Sequence, residues 1–103
     1  MIVTVFRARV AEGVEEEIER VGARMYELAS SMPGFLSYKD FVAEDGENLS
    51  IIEFDTLEHV TAWREHPEHR EAQALGRSTF FTEFTIHVCE VVRTARHSGA
   101  ERT

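Results

Sequence analysis

Residues 55–76, DTLEHVTAWREHPEHREAQALG, contain the only tryptophan of the chain and three of its five histidines. A proline interrupts this stretch, and proline removes a backbone donor and disfavours helical geometry in the residue before it. The stretch therefore predicts two short helices with a joint at His66–Pro67. The first is expected to begin near Asp55 or Thr56, either of which can cap it. The second is expected to begin at the proline, a favoured first helical position, and to end at Gly76.

The residues around the joint favour a cavity wall at this point of the chain. Trp63, His66 and His69 follow one another at steps of three across it. A large ring and two imidazoles beside a helix break are typical of the wall of a cavity. The same pattern also fits a tryptophan in the core with solvated histidines next to it, so both interpretations stay open at this point.

The rest of the chain supplies four strands and one longer helix. Segments rich in β-forming residues at 2–10, 35–43, 48–54 and 79–93 predict the strands. Segment 14–32 predicts the helix, because apolar residues recur there at steps of four and three. This apolar stripe consists of Val14, Ile18, Val21, Met25, Leu28 and Met32. The order β-α-β-β-α-β predicts an α+β, ferredoxin-like fold with a four-stranded antiparallel sheet and both helical elements on one face.

Both faces of the predicted sheet carry large apolar side chains, since side chains alternate between the faces along a strand. On the fourth strand, one face is expected to hold Phe80, Phe84, Ile86 and Val88, and the other Phe81, Cys89 and Val91. Helices can cover only one face, and an uncovered apolar face is costly. We therefore expect a homodimer in which two sheets pack together.

Length, charge and cysteine content bound the remaining possibilities. The chain of 103 residues predicts one domain, expected over residues 1–93, with residues 94–103 as a disordered tail. The net charge of −8 disfavours nucleic acids and anionic membranes as partners. No segment reaches the roughly 20 apolar residues of a membrane span, and the first residues lack the basic lead of a signal peptide. A single cysteine forms no internal disulfide, which makes the cytoplasm the expected location.

Two motifs resemble those of a known family. Met32-Pro-Gly-Phe35 follows the first helix, and Trp63-Arg-Glu-His-Pro-Glu-His-Arg-Glu-Ala72 lies in the second helical region. With these motifs, residues 1–93 resemble the antibiotic biosynthesis monooxygenase (ABM) domain. The resemblance implies a homodimer that forms an α+β barrel, with a pocket between the sheet and the helices of each subunit. It implies a choice of activities: some members oxidise polycyclic aromatic substrates with O₂ and no metal or flavin, others degrade haem, and others act on small quinone or signalling metabolites.

The branches of the family differ at positions that can be compared here. The haem-degrading branch carries an Asn on the first strand and an iron-ligating His ten residues after the helix Trp. Residues 1–10 contain no Asn, and the position ten beyond Trp63 is Gln73, so haem degradation is the less expected activity. The quinone-forming branch carries an Asn four residues before the Trp and a Tyr six after it. Those positions are His59 and His69 in this chain, so both remain polar but neither has the residue type of that branch.

The candidate catalytic groups are imidazoles, because a neutral His is a suitable general base at pH 7. His69 is the first candidate and His66 the second. The two could also touch one metal ion, but the intervening proline and the lack of an evident third ligand disfavour this. We therefore expect neither a metal nor a cofactor.

The candidate substrate-binding groups are aromatic walls and two polar side chains. The walls would come from Trp63, Phe35, Phe80, Phe84 and Phe54. Tyr38 or Arg64 would bond a phenolate or carbonyl oxygen. Each group also has a plainer interpretation: the phenylalanines as core, Tyr38 as a cap on the sheet, and Arg64 as the partner of a neighbouring Glu.

Two functions from different classes follow. One is a small cofactor-independent monooxygenase that acts on an aromatic or quinol-like metabolite. The other is a non-catalytic dimeric module that binds a small apolar or aromatic molecule. The residues favour the first and do not specify the substrate.

Overall fold

The structure is a computed structural model that describes residues 1–99. Its strands are β1 (Ile2–Val10), β2 (Phe35–Val42), β3 (Asn48–Phe54) and β4 (Phe81–Glu90), and its helices are α1 (Glu15–Ser31), α2 (Leu57–Glu65) and α3 (Pro67–Leu75). A single π-helical turn, Gly76–Phe80, joins α3 to β4. The sheet has the order β2-β3-β1-β4 with antiparallel pairing throughout, which confirms the predicted α+β, ferredoxin-like fold.

The core lies between the sheet and the apolar stripe of α1. Met25, Leu28 and Ala29 of α1 are buried there. They meet side chains from both central strands and from α2: Ile2, Ile52, Phe54, Val60 and Trp63. None of the helices in the described residues is long and apolar enough to cross a bilayer.

The predicted joint between the two short helices is confirmed, and each helix begins at a side-chain cap. The Thr56 hydroxyl accepts a hydrogen bond from the backbone N–H of His59 at 3.2 Å, which caps α2. The chain then turns at His66, whose ψ of 132° is extended, and α3 begins at Pro67. The pre-proline restriction therefore separates α2 from α3 as expected.

The transition from α3 to β4 differs from the expectation. The second helix ends at Leu75 with Gly76 as its C-cap, as predicted, but Gly76 has right-handed helical angles (φ −58°, ψ −47°) and the chain continues as the π-turn. The fourth strand consequently begins at Phe81 and ends at Glu90, which is shorter than the predicted 79–93. Residues 91–99 form neither helix nor strand, and the remainder of the predicted tail, residues 100–103, lies outside the described residues.

A β-bulge corrects the predicted position of Phe81. On β1, Arg9 pairs with Glu83 but Val10 pairs with Phe81, so β4 has one extra residue at this point. The bulge shifts the alternation, and Phe81 lines the same space as Phe84 instead of lying on the opposite face. The two rings lie 6.1 Å apart between centroids, and both lie edge-on to Phe6.

Gly34, between α1 and β2, is held against the start of α2. Its φ is +82°, a left-handed backbone conformation that residues other than glycine rarely adopt. A Cβ at this position would also overlap Asp55 Oδ1 and His59 Nδ1. We expect Gly34→Ala to lower the free energy of unfolding by about 2–4 kcal/mol, from backbone strain plus overpacking. Urea denaturation measures this loss.

Gly13→Ala is the matched control. Gly13 has an almost identical φ of +83°, but nothing lies within 4 Å of the added carbon. This variant should therefore lose only the backbone cost of about 1–2 kcal/mol. Equal losses in the two variants would show that the contact of Gly34 with Asp55 and His59 has no energetic weight.

Candidate active site

A cavity of about 470 Å³ opens between the helices and the helix-covered face of the sheet. Its floor consists of buried side chains from β1, β3 and α2, including Thr4, Ile52 and Trp63. Its walls include Met25 of α1 and His69 of α3. Because most of the lining is apolar, the cavity suits a small apolar or aromatic molecule.

Three rings are stacked on one side of this cavity. Phe54 is fully buried and lies nearly parallel to Trp63, with centroids 5.6 Å apart and an interplanar angle of 23°. The His69 ring covers the other face of Trp63, at 4.0 Å and 21°. The joint after α2 makes this possible, since it lets α3 turn back and place His69 over the indole. The stack fixes the orientation of the imidazole.

A backbone hydrogen bond determines which nitrogen of His69 is basic. His69 Nδ1 lies 3.1 Å from the carbonyl oxygen of Trp63. A carbonyl oxygen only accepts, so Nδ1 carries the proton and Nε2 keeps a free lone pair. Burial lowers the pKa of His69 below its ordinary value of 6.5, and the charge of His66 lowers it further, although the bond to Trp63 opposes both effects. His69 is therefore neutral at pH 7, with Nε2 as its acceptor.

Two residues of the cavity lining each carry a buried polar atom that has no partner among the described residues. These atoms are the indole Nε1 of Trp63, a donor, and the hydroxyl Oγ1 of Thr4. Trp63 is 5% exposed and Thr4 is 8% exposed. Buried polar groups are almost always hydrogen-bonded.

Tyr38 of β2 brings a phenol to the same cavity and lies edge-on to Trp63, with centroids 6.3 Å apart. Burial, together with the charge of Asp40, raises the pKa of Tyr38 to about 12. The phenol therefore keeps its proton at neutral pH and can donate a hydrogen bond.

The structure brings some of the sequence-predicted residues together and separates others. Those that line the cavity are Trp63, His69, Tyr38, Phe80, Phe84 and Arg64. Phe54 and Phe35 lie behind the Trp63 ring and do not line the cavity: Phe54 stacks on the indole and Phe35 packs edge-on to Phe54 at 5.8 Å.

His66 does not face the cavity with His69, contrary to the expectation. Its Nδ1 accepts a hydrogen bond from the backbone N–H of Glu68 at 3.1 Å, which caps the beginning of α3. A residue that directly precedes a proline at the first helical position occupies the cap position, and this geometry directs its side chain along the helix start. His66 is thus a structural residue at the joint.

The cavity-lining residues that sequence reasoning missed include Thr4, Phe6, Phe81 and Arg77. Thr4 and Phe6 had a usable signal, because they alternate with Ile2 and Ala8 on the helix-covered face of β1. Phe81 and Arg77 had none, since the bulge and the π-turn that place them leave no clear mark in the sequence.

Two other polar positions discussed above lie in local contacts. Gln73, at the position of the haem branch's iron ligand, donates its side-chain N–H to the carbonyl oxygen of Arg64 at 2.9 Å. His59 Nδ1 lies 2.7 Å from Asp55 Oδ1, and this hydrogen bond lowers the pKa of Asp55. Within residues 1–99, no three His, Cys, Asp or Glu side chains come together as a potential metal site.

Comparison with known proteins identifies the family. Residues 1–75 match the family described as antibiotic biosynthesis monooxygenase. The chain belongs to the ABM family. The resemblance noted from Met32-Pro-Gly-Phe35 and the Trp63 region is thereby confirmed.

The proteins that this ABM protein is similar to include an uncharacterised relative and two structures that share its fold. YqjZ of Bacillus subtilis strain 168, described as uncharacterised, is 33% identical over 70 residues, which are 68% of this chain and 61% of that protein. SnoaB of Streptomyces nogalater, described as a cofactor-independent oxygenase, has a TM-score of 0.78 at 17% identity, over 93% of this chain and 97% of its own. A dimeric ferredoxin-like protein of unknown function from Thermobifida fusca has a TM-score of 0.69 at 18% identity, over 87% and 90% of the two chains. At such identities, the two structural matches show that the ABM fold is shared.

Proposed function

We propose that this ABM protein is a cofactor-independent monooxygenase that oxidises an aromatic or quinol-like metabolite in the cavity. The observation that carries the proposal is the orientation of His69, a neutral imidazole whose basic Nε2 is left free beside an apolar space. Membership of the ABM family and the fold shared with an oxygenase support it.

In the proposed reaction the substrate itself reduces O₂. His69 Nε2 takes a proton from an acidic C–H or O–H group of the substrate, and the resulting anion gives one electron to O₂. The substrate radical and superoxide then combine to a peroxide anion, which takes the proton back from His69 Nε2. Loss of water leaves a new C=O group, so one oxygen atom enters the product, the other becomes water, and no external reductant is needed. An anthrone, whose CH₂ becomes the carbonyl of a quinone, satisfies this balance.

The side chains around His69 would stabilise the anion. Trp63 Nε1–H would donate to the substrate oxygen that carries the developing charge, and Thr4 would satisfy a second polar atom. Tyr38 can donate to an oxygen at another position of the ring system. Hydrogen bonds to a developing oxyanion in a dry cavity commonly contribute more than hydrogen bonds in water.

Oxygen uptake with a panel of anthrones and hydroquinones tests the proposal. The protein should accelerate O₂ consumption above the autoxidation of each active substrate, with one oxygen atom from ¹⁸O₂ in the product. Binding without any accelerated uptake across the panel would overturn the proposal and support the alternative, a non-catalytic module for small apolar molecules.

The pH dependence of the reaction should report the state of His69. Since burial lowers its pKa below 6.5, the base should remain unprotonated somewhat below that pH, and the acid limb of kcat/KM should have its midpoint below 6.5. As the pH falls, His69 becomes protonated at a higher pH in the unfolded chain than in the folded protein. The contribution of neutral His69 to stability is therefore fully present above pH 6.5 and decreases as the pH falls through the folded-state pKa. An acid limb with its midpoint above 6.5 would contradict this assignment.

We also propose that the functional unit is a homodimer, located in the cytoplasm. On the face of the sheet opposite the helices, the Phe41 side chain of β2 is 49% exposed in one chain. Sedimentation should give a mass near twice 11.8 kDa. Val5→Asp, on the face of β1 opposite the helices, should weaken the dimer by placing a charge in the contact. A monomer at micromolar concentration would contradict the proposal.

A further inference from the structure

The charges that line the cavity differ from those of the whole chain. The sequence has 19 acidic and 11 basic residues, a net charge of −8. Among the described residues, however, no Asp or Glu lines the cavity, and the permanently charged groups that do are Arg64 and Arg77. An acidic protein therefore surrounds its cavity with positive charge alone.

Both arginines lie at the mouth of the cavity. Arg64 is in the last turn of α2 with its side chain 60% exposed, and Arg77 is an exposed residue of the π-turn. A residue that lines a cavity and is also exposed marks the rim, whereas the buried Trp63 and Thr4 mark the floor. The cavity thus has an apolar body and two guanidinium groups at its opening.

The guanidinium groups at the mouth are available for a ligand. Arg77 makes no ion pair within residues 1–99, and the partner found there for Arg64 is the adjacent Glu65 at 3.9 Å. That pair is exposed and therefore weak. By contrast, Arg7, Arg9 and Arg24 pair with carboxylates of other elements: Glu47 at 3.0 Å, Asp45 at 2.9 Å and Glu68.

We propose that the natural ligand of the cavity is an aromatic carboxylate, with its rings inside and its carboxylate between Arg64 and Arg77 at the mouth. The planar fork of a guanidinium matches a carboxylate, and Arg is always charged. Anchoring at the mouth would hold the opposite end of the ring system against His69 and Trp63. This inference rests on the proposed assignment of the cavity as the substrate site, and it deepens that assignment by naming the substrate class.

Calorimetric titration with matched ligands tests the proposal. The pairs are 2-naphthoate with 2-naphthamide, and anthracene-2-carboxylate with its amide, which differ in charge at almost constant shape. At low salt at least one acid should bind about tenfold more tightly than its amide, as expected for charge-assisted hydrogen bonds. The preference should shrink on going from about 0.01 M to about 1 M salt, because the Debye length falls from about 30 Å to about 3 Å.

Charge-neutral variants locate the anchor. Arg77→Gln and Arg64→Gln should each reduce the preference for the acid severalfold, and the double variant should abolish it. Arg70→Gln is the matched control: Arg70 is an exposed residue of α3 that does not line the cavity, so the same change in net charge should leave the preference intact.

Three results would overturn the inference: amides that bind as tightly as the acids, acids that do not bind, or a preference that survives in the double variant. The readout is binding and not turnover. Binding of the acids without oxygen uptake would therefore refute the oxygenase and keep the ligand class. Oxygen uptake with neutral substrates alone would keep the oxygenase and refute the ligand class.

Discussion

His69→Asn is expected to reduce turnover of an active substrate by at least about 100-fold while the melting temperature stays nearly unchanged. The Asn side-chain N–H can replace Nδ1–H as the donor to the Trp63 carbonyl oxygen, which lies 3.1 Å from Nδ1. It cannot replace Nε2, so the variant lacks the proposed base. Removal of a general base commonly costs about 10²–10⁴-fold in rate. Initial rates of oxygen uptake measure the loss, and far-UV circular dichroism on heating measures the fold.

The same substitution at the neighbouring histidine should have the opposite result. His66 accepts the N–H of Glu68 as the cap of α3, and Asn is among the best capping residues. His66→Asn should therefore keep both turnover and stability. Full turnover in His69→Asn would contradict the proposed mechanism, and loss of turnover in His66→Asn alone would transfer the role of base to His66.

Trp63→Ala should have the largest effect on stability. The indole is 5% exposed and separates Phe54 from His69, so its removal opens a cavity in the core and frees the imidazole. Deletion of a large buried ring costs about 3–5 kcal/mol, which is a large part of the 5–15 kcal/mol that stabilises a typical domain. Urea denaturation should show this loss, and ligand binding should fall with it.

Trp63→Phe separates packing from hydrogen bonding. The smaller ring can still stack between Phe54 and His69, so the loss of stability should be only about 1–2 kcal/mol. The variant lacks the indole N–H that has no partner among the described residues. Ligands with an oxygen atom near the floor should therefore bind about three- to tenfold more weakly, the usual range for one neutral hydrogen bond. Unchanged affinity would show that Nε1 does not contact the ligand.

The parts of the molecule that could be predicted are those set by local rules. The order of elements followed from the apolar periods, and the joint between α2 and α3 followed from the fixed geometry of proline. The role of His66 could have been deduced as well, since proline at the first helical position leaves the preceding residue as the cap. The interpretation of three evenly spaced rings as one cavity wall overlooked this rule.

The parts that could not be predicted depend on contacts between distant segments. Thr82 and Glu83 continue the alternation of β4 without any sign of a bulge, yet pairing with β1 inserts one residue and turns Phe81 into the cavity. Gly76 caps the end of α3 as its residue type predicts, but the chain continues from it as a π-turn, which the sequence of residues 76–80 does not indicate. Such features depend on packing that no single segment determines.

The partner that orients His69 has a consequence for how such a protein can diverge. In many catalytic pairs an acidic side chain selects the tautomer of the histidine, and one substitution removes it. Here the partner is a main-chain carbonyl oxygen, which every residue type at position 63 provides as long as the joint keeps its shape. Descendants of this chain that keep a ring at position 63 can therefore exchange other residues of the floor, the walls and the rim for new substrates, while the main-chain hydrogen bond still leaves the lone pair of His69 Nε2 free.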